Sequence, residues 1–382
     1  MNPKDFSSPE AGQLVRTVEG NWAFVPVPLP PAIVYDSALV VALSQADAAL
    51  SELSGIGRQL PNPHLLIAPY MRREAVLSSR IEGTRATLSD VLIDEMSADS
   101  IRSGDADVRE VRNYIRAMQH GLVRLNELPL SLRLVCELHE HLMQGVRGEK
   151  ATPGEFRRRQ NWIGSPGSTE ATASYVPPPV LEMKEALNAW EVFLHQHDTI
   201  PDLIQCALMH AQFEAIHPFL DGNGRVGRLL ITLFLMERGR LSQPLLYLSA
   251  FIELHRQEYY DLLQRTRTHG DWYAWLMYFL AGVRQVANDA ARQAAELLDL
   301  REQLRKRLSN HQNAIALVDE LFMNPYLTAA RAAQVLKKSN PTARLALARL
   351  METNVIEEMT GRAWGRMYVA QPILQVINRP LN

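Results

Sequence analysis

Apolar residues recur at three- and four-residue spacing along most of the chain, and this period constrains the fold more than any other feature. It begins at Ser37 with SALVVALSQADAALSELSGIGRQL and returns, with one break, as far as Leu308. Stripes of this kind are buried by packing helix against helix, so the expected class is mainly α. The next helix is expected to open at Pro69, a good first-turn residue, to run through YMRREAVLSSRIE and to stop at Gly83. Thr87 with Asp90 forms a capping box for LSDVLIDEM, and two further amphipathic helices fill residues 108–147. The break lies at GEFRRRQNWIGSPGSTEATASYVPPPV, from Gly154 to Val180. There, Gly, Pro, Ser and Thr surround two short extended stretches, Gln160–Ile163 and Ser174–Val176, which is the pattern of a β-hairpin flap. Helical periodicity resumes at LEMKEALNAWEVFL and continues through Pro201–Ile216, Val226–Arg238, Glu253–Thr268 and Trp272–Val283. The charged helix Arg284–Leu308 reads as a connector. Residues 1–35, with VPVPLPPAIVYD, read as an extended arm lying on the body.

At roughly 150 residues per domain, 382 residues make two or three domains. The divisions expected are 1–107, an arm and helical region; 108–300, a helical core with the flap; and 301–382, a connector and a small C-terminal domain. A composition of 47% hydrophobic and 21% charged residues excludes a chain disordered throughout. Forty Lys and Arg against 42 Asp and Glu give a net charge of −2, which excludes a chain-wide polycation. Cys136 and Cys206 are too few for a disulfide framework or a four-thiolate zinc site. The opening MNPKDFSSPEAG lacks the apolar core of a signal peptide, and no apolar run is expected to approach the ~20 residues of a bilayer span. The expectation is a soluble, cytoplasmic protein with no membrane partner.

The C-terminal part changes character. Asn310–Phe322, LTAARAAQVL and PTARLALARLMETN from Pro341 read as three helices, and VIEEM and RMYVA as strands around the tip TGRAWG. That order is the order of a winged helix-turn-helix domain. From Asn324 to Asn382, eight basic residues against three acidic ones leave +5. Lys337, Lys338 and Arg344 flank the start of the expected recognition helix, and Arg362 and Arg366 frame the tip around Trp364. Phosphate contacts from these positions suit duplex DNA, while docking on protein is the competing role for such a domain.

The densest chemistry lies at HPFLDGNGRVGRLL, from His217 to Leu230. An apolar helix leads in, a glycine loop follows at Asp221–Gly224, and a second apolar helix leads out. A helix N-terminus offers free N–H groups and about half a positive charge to an anion, and Gly222 and Gly224 let the backbone approach it closely. Arg225 and Arg228 stand three apart in the first turn and share a face. Two cations at the positive end of a helix are unfavourable alone and are compensated by a polyphosphate. Asp221 is a hard oxygen ligand suited to Mg²⁺ beside phosphates. His217, just before the loop, suits removal of a proton from an attacking hydroxyl. Gly222, Gly224 and Gly227 satisfy G-x-G-x-x-G, but a helix precedes them and Tyr247 stands where a dinucleotide site needs an acid. No P-loop pattern occurs. His210, seven residues before His217 on the same face, reads as a packed or supporting histidine.

HPFLDGNGRVGR resembles the signature of the Fic family, H-P-F-x-[D/E]-G-N-G-R-x-x-R, at every fixed position. QNWIG and YVPPP of the flap, and YLSAFIELHRQEYYDLL with WYAWLMYFLAGV, are similar too, so the resemblance covers about residues 10–300. It implies a Fic helical core and an adenylyltransferase that moves AMP from ATP, with Mg²⁺, to a Ser, Thr or Tyr hydroxyl of a protein, releasing diphosphate. It implies His217 as base, Asp221 as metal ligand, and Gly222, Asn223 and Gly224 as the phosphate cradle. Arg225 and Arg228 become the phosphate clamp, with Arg228 on the γ-phosphate. Pro218 and Phe219 anchor the loop. The flap, through Ile163, Gly164, Tyr175 and Val176, becomes the seat of the target chain by strand addition.

SSRIEGT at 78–84 places Ser78 and Glu82 on one helix face, with Glu82 at the negative end before Gly83. Beside a Fic signature it resembles the family's inhibitory helix, [ST]-x-x-x-E-[GN], which implies a Glu82–Arg228 pair that denies the arginine to ATP. The partners implied are ATP, a target protein that includes the chain itself, DNA through the C-terminal domain, and a second copy in a homodimer. Two alternatives stand beside AMP transfer. One is an enzyme of the same fold that removes AMP, with Glu82 activating water. The other is a DNA-binding regulator whose Fic part senses nucleotide, which leaves His217 without a task.

Overall fold

The helix Asp202–Ile216 is buried along its whole length, every side chain from Leu203 onward, and Val180–Leu194, Asn223–Glu237, Arg256–His269 and Trp272–Arg307 are among the helices that pack on it. The computed structural model describes residues 1–59, 62–96, 105–146, 152–362 and 364–381. In chain order the helices are α1 (Ser37–Gln59), α2 (His64–Ile81), α3 (Leu88–Met96), α4 (Ala106–Arg124), α5 (Leu132–Met143), α6 (Val180–Leu194), α7 (Asp202–Ile216), α8 (Asn223–Glu237), α9 (Ser249–Leu254), α10 (Arg256–His269), α11 (Trp272–Arg307), α12 (Gln312–Met323), α13 (Ala329–Leu336), α14 (Asn340–Glu352) and α15 (Gln371–Ile377). Strands β1 (Gly12–Arg16) and β2 (Trp22–Pro26) form an antiparallel pair. A second sheet has the order β3 (Tyr326–Thr328), β5 (Met367–Val369), β4 (Glu357–Glu358), with both pairings antiparallel. The mainly helical class expected from the apolar period is what the structure shows.

Several boundaries differ from the sequence expectation. Residues 1–35 are not simply extended, since Gly12 through Arg16 pair with Pro26 through Trp22 as a hairpin. α2 starts at His64, where Asn62 accepts a hydrogen bond from the His64 amide, so Pro69 lies inside the helix with its ring in the core. Its far end is as expected: Glu82 caps the helix and Gly83 takes φ +100°, a conformation open mainly to glycine. Thr87 and Asp90 bond reciprocally, with Thr87 N to Asp90 Oδ2 at 2.8 Å and Asp90 N to Thr87 Oγ1 at 3.2 Å. The expected helix Glu253–Thr268 divides at His255 into α9 and α10. The expected Trp272–Val283 and its connector are one 36-residue helix, so a division at residue 300 falls inside α11. Gly282 lies inside it, and its missing side chain leaves room for the Phe251 ring, which a Cβ there would meet at 2.7 Å.

α1 packs along α11 with Leu39, Ala46, Leu50 and Leu53 buried. Its Ser37–Arg58 stretch of 22 residues, with mean hydropathy 1.2, is long and apolar enough to cross a bilayer, contrary to the sequence expectation. Ser44, Gln45 and Asp47 interrupt the run, while alanine, valine and leucine keep its mean high.

The C-terminal elements lean on α2 and α3. Tyr326 Oη meets Ser89 Oγ at 3.0 Å, Asn324 Nδ2 donates to Leu92 O at 3.0 Å, and Arg73 donates to Arg379 O at 2.5 Å. Arg379 in turn grips Glu296 at 2.7 and 2.8 Å. Lys337, Lys338, Arg344, Arg362 and Arg366 are exposed, and none has an ion-pair partner among the described residues. Ala363 of the expected tip and residues 147–151, including the end of the expected 108–147 helices, lie outside the described residues.

Candidate active site

α7 ends at His217, which sits in the left-handed region at φ 48°, ψ 61°. A non-glycine residue there stores backbone strain, and the surroundings hold it in place. The His217 amide donates to Phe213 O at 3.0 Å. Its carbonyl accepts from Arg157 Nε at 3.1 Å, and the Arg157 amide donates to Pro218 O at 2.9 Å. Arg157 is 1% exposed and also grips Pro178 O, so it ties the base of the flap to the end of α7. The imidazole is half-buried, and its Nδ1 is buried without a hydrogen-bond partner among the described residues. Desolvation, then Arg267 and Arg157, push its pKa well below the usual histidine range, while the Glu214 carbonyl opposes them. His217 is therefore a neutral proton acceptor at physiological pH.

Phe219 follows into the core, stacked on His139 with ring centroids 3.7 Å apart and an 8° interplanar angle. Gly154 N donates to His139 Nδ1 at 2.9 Å, so Nε2 carries the proton and donates to Asp221 O at 3.1 Å. His139 thereby joins the root of the flap to the glycine loop. Gly222 takes φ +80°, and a Cβ there would lie 2.9 Å from Met143 Sδ. Asn223 is 2% exposed and closes the loop on itself: its Oδ1 accepts from Phe219 N at 2.8 Å and its Nδ2 donates to Phe219 O at 2.9 Å. Asn223→Ala strands the Phe219 amide in the core. We expect a loss of about 1–3 kcal/mol of stability, read by thermal melting. A variant that melts like wild type removes Asn223 from the loop's support.

Arg228, 3% exposed, reaches from the first turn of α8 to the end of α2. Its Nη2 donates to Glu82 Oε1 at 2.7 Å and to Ser78 O at 2.9 Å, and its Nε donates to Ser78 Oγ at 2.8 Å. Desolvation works against its charge, but Glu82, Tyr259 and Glu214 outweigh it and raise its pKa. Glu82 Oε1 also lies against Gly224, over the mouth of the loop. Arg225, 4% exposed, lies between Glu110 at 3.4 Å, Asp221 at 3.6 Å and Met143 Sδ at 3.6 Å. Glu214 is buried, and burial pushes its carboxyl up to about 7 against the pull of Arg228 and Arg267. His210 bonds Gly227 O at 3.1 Å and Tyr259 Oη at 2.8 Å, a packed histidine that pins α8.

No group of three His, Cys, Asp or Glu among the described residues forms a metal cage. Asp221 is an exposed single carboxylate whose Oδ1 accepts from Gly222 N at 2.6 Å. One carboxylate with water and phosphate oxygens is the ligand set that Mg²⁺ accepts, so the residue fits that ion.

The flap is slighter than two strands. A single residue pair, Ile163 with Tyr175, exchanges both backbone bonds, at 2.8 and 3.1 Å. Pro166 and Pro177–Pro179 carry no donor for further pairing. Tyr175 and Val176 are buried, 1% and 0% exposed, and Val176 O already accepts from Phe24 N of β2 at 2.9 Å. They brace the flap from within and do not face a target, which corrects the expectation for both. The exposed edge is Trp162–Gly164.

The structure thus brings His217, Asp221, Gly222, Asn223, Gly224, Arg225 and Arg228 together at the junction of α7 and α8, with Ser78, Glu82 and Gly83 delivered from α2. Sequence reasoning missed His139, Arg157, Asn161 and Arg267. His139 had a signal, a histidine on the buried stripe Val135, Leu138 and Leu142; the arginines lie among FRRRQ and TRTHG, which read as solvated charge.

Two family models match the chain, "Fic/DOC family N-terminal" over residues 40–123 and "Fic/DOC family" over residues 129–235. Proteins named "Protein adenylyltransferase Fic" from Aedes aegypti and Drosophila grimshawi are each 32% identical, over 154 and 165 residues. Those segments are 40% and 42% of this chain but only 26% and 32% of the relatives, so the chain matches about a third or less of their length. Among solved structures, a Fic family protein from Desulfovibrio desulfuricans superposes with TM-score 0.58 at 21% identity, covering 90% of this chain and 98% of that one. A Fic domain-containing signaling protein from Bacteroides thetaiotaomicron gives 0.51 at 16% identity, over 65% and 95%. Both show the shared fold.

Proposed function

The chain belongs to the Fic/DOC family, and from that premise we propose that it transfers AMP from ATP to a hydroxyl side chain of a protein, its own chain included. The observation that carries the reading is the joint between α7 and α8, where a neutral His217 adjoins a glycine anion loop backed by Arg225 and Arg228. The hydroxyl oxygen attacks the α-phosphorus of ATP, its proton passes to His217, and the bond to the bridging oxygen breaks so that diphosphate leaves. Gly222, Asn223 and Gly224 cradle the phosphates with backbone amides at the start of α8. Asp221 would hold Mg²⁺, which would supply positive charge against the phosphates. Arg228 meets the γ-phosphate, and the exposed edge Trp162–Gly164 aligns the target main chain.

As it stands, Arg228 is engaged by Glu82 and Ser78. We read this as a brake: ATP that binds without Arg228 lacks the γ-phosphate contact that sets its α-phosphorus in line with the hydroxyl. Mass analysis of the Glu82→Gly protein after incubation with Mg-ATP tests the reading. An adenylyl adduct on a Ser, Thr or Tyr supports it, and the absence of any adduct on the chain or on proteins of its source cell overturns it.

The C-terminal elements carry the charge expected of a winged helix that binds duplex DNA. Support comes from the exposed Lys337, Lys338, Arg344, Arg362 and Arg366 at α13–α14 and around Trp364, itself 78% exposed. Full-length protein is expected to retain duplex DNA at low salt, with affinity falling steeply as salt rises, and Arg362→Gln with Arg366→Gln weakens it. No retention at low salt leaves protein docking as the role of this surface.

A further inference from the structure

Arg267, in the last turn of α10, is 7% exposed, yet it makes no hydrogen bond or ion pair among the described residues. Its Nε is buried without a partner. A buried guanidinium without a hydrogen bond is costly, and the negative end of α10 and the Glu214 carboxyl offset only part of that cost. What it does touch is Tyr175, whose ring lies 4.1 Å from the guanidinium carbon. Tyr175 Oη donates to Ala215 O at 2.6 Å, two residues before His217. The Tyr175 backbone makes the single ladder pair of the flap with Ile163. Arg267 therefore stands where the base and the flap are joined.

We propose that Arg267 is a positioning residue that keeps His217 in its proton-accepting form and fixes the flap edge to it through Tyr175. The proposal rests on reading His217 as the base of the transfer. The groups that act on His217 are Arg267 from α10, Arg157 from the root of the flap and the backbone carbonyl of Glu214 in the last turn of α7, while Tyr175 of the flap reaches the same helix end at Ala215 O. Both arginines disfavour the imidazolium, and both lie on the side of the chain that carries the flap. In the free protein they hold the ring neutral. A bound triphosphate brings negative charge that offsets them, so the imidazole gains proton affinity when the hydroxyl must be deprotonated.

The test uses full-length Glu82→Gly protein as parent, with Arg267→Gln and Arg267→Lys built on it. His217 is titrated by histidine NMR, assigned by its loss in His217→Ala, and self-adenylylation with Mg-ATP is followed across pH. Amide exchange at Ile163 and Tyr175 reports the flap. Removing the positive charge raises the pKa of His217, so in Arg267→Gln the midpoint and the acid limb of the rate both move up by about one pH unit. Exchange at the two flap amides becomes faster. Arg267→Lys keeps the midpoint, because the charge remains, and speeds only the flap exchange, because the planar stack is lost. A folded Arg267→Gln protein with the parent's midpoint overturns the proposal. If Arg267→Gln does not fold, the Lys variant decides: an unchanged midpoint with faster flap exchange supports the proposal, and any other pattern overturns it. A parent that moves no AMP counts against the transfer reading instead, while the titration still judges Arg267.

Discussion

His217→Ala in a Glu82→Gly background should lower AMP transfer by about 10²–10⁴-fold, the usual worth of a general base, and leave ATP binding close to that of its parent. The split follows from the geometry. The phosphate cradle is built from the backbone of Gly222–Gly224 and from Arg225 and Arg228, none of which hydrogen-bonds to the His217 ring. Removing the imidazole also spares the contacts that hold the turn, because Arg157 and Asn161 bind the His217 carbonyl and not its ring. Rate of label incorporation and ATP affinity by calorimetry are the two measurements. Turnover equal to the parent's assigns the proton to another group. Lost binding with lost turnover says that the ring supports the loop.

Glu82→Gly, by contrast, deletes an interaction and is expected to increase activity. Glu82 gives Arg228 one charge-assisted bond of 2.7 Å, while Ser78 gives two more that survive the change. Hydrogen bonds to charged groups are worth about 1.5–3 kcal/mol. A γ-phosphate no longer competing with that bond should gain about 10–100-fold in productive transfer. Stability should move the other way. Removing one partner of a deeply buried pair costs about 3–5 kcal/mol, but the Glu82 side chain is 34% exposed, so solvent screening places the loss well below that figure. Lower melting temperature with higher activity identifies a brake. Lower melting temperature with equal or lower activity identifies Glu82 as a structural cap.

The helical class and the α7–loop–α8 joint were legible because each depends on residues close in sequence, whereas the Glu82–Arg228 pair, 146 residues apart, was implied by the resemblance to the family's inhibitory helix. Arg228 at a helix start and Glu82 at a helix end each carry the sign their own helix disfavours, and each supplies what the other needs. The flap was legible only in part. Its turn residues mark a hairpin, but which side is covered depends on β2, more than a hundred residues away, whose Phe24 amide takes the carbonyl of Val176. Arg157 and Arg267 were illegible for a related reason. Burial of a charge is decided by the elements that close over it, and FRRRQ reads as solvated until Pro178 O and His217 O are found around one of its arginines.

Self-labelling of the Glu82→Gly protein with ATP carrying its label on either the α- or the γ-phosphate, each with Mg²⁺, tests the central claim most directly. AMP transfer predicts label on protein from α-labelled ATP alone, absent when His217→Ala is added to the same chain. Label from the γ-phosphate, or α-label that persists without His217, would contradict it.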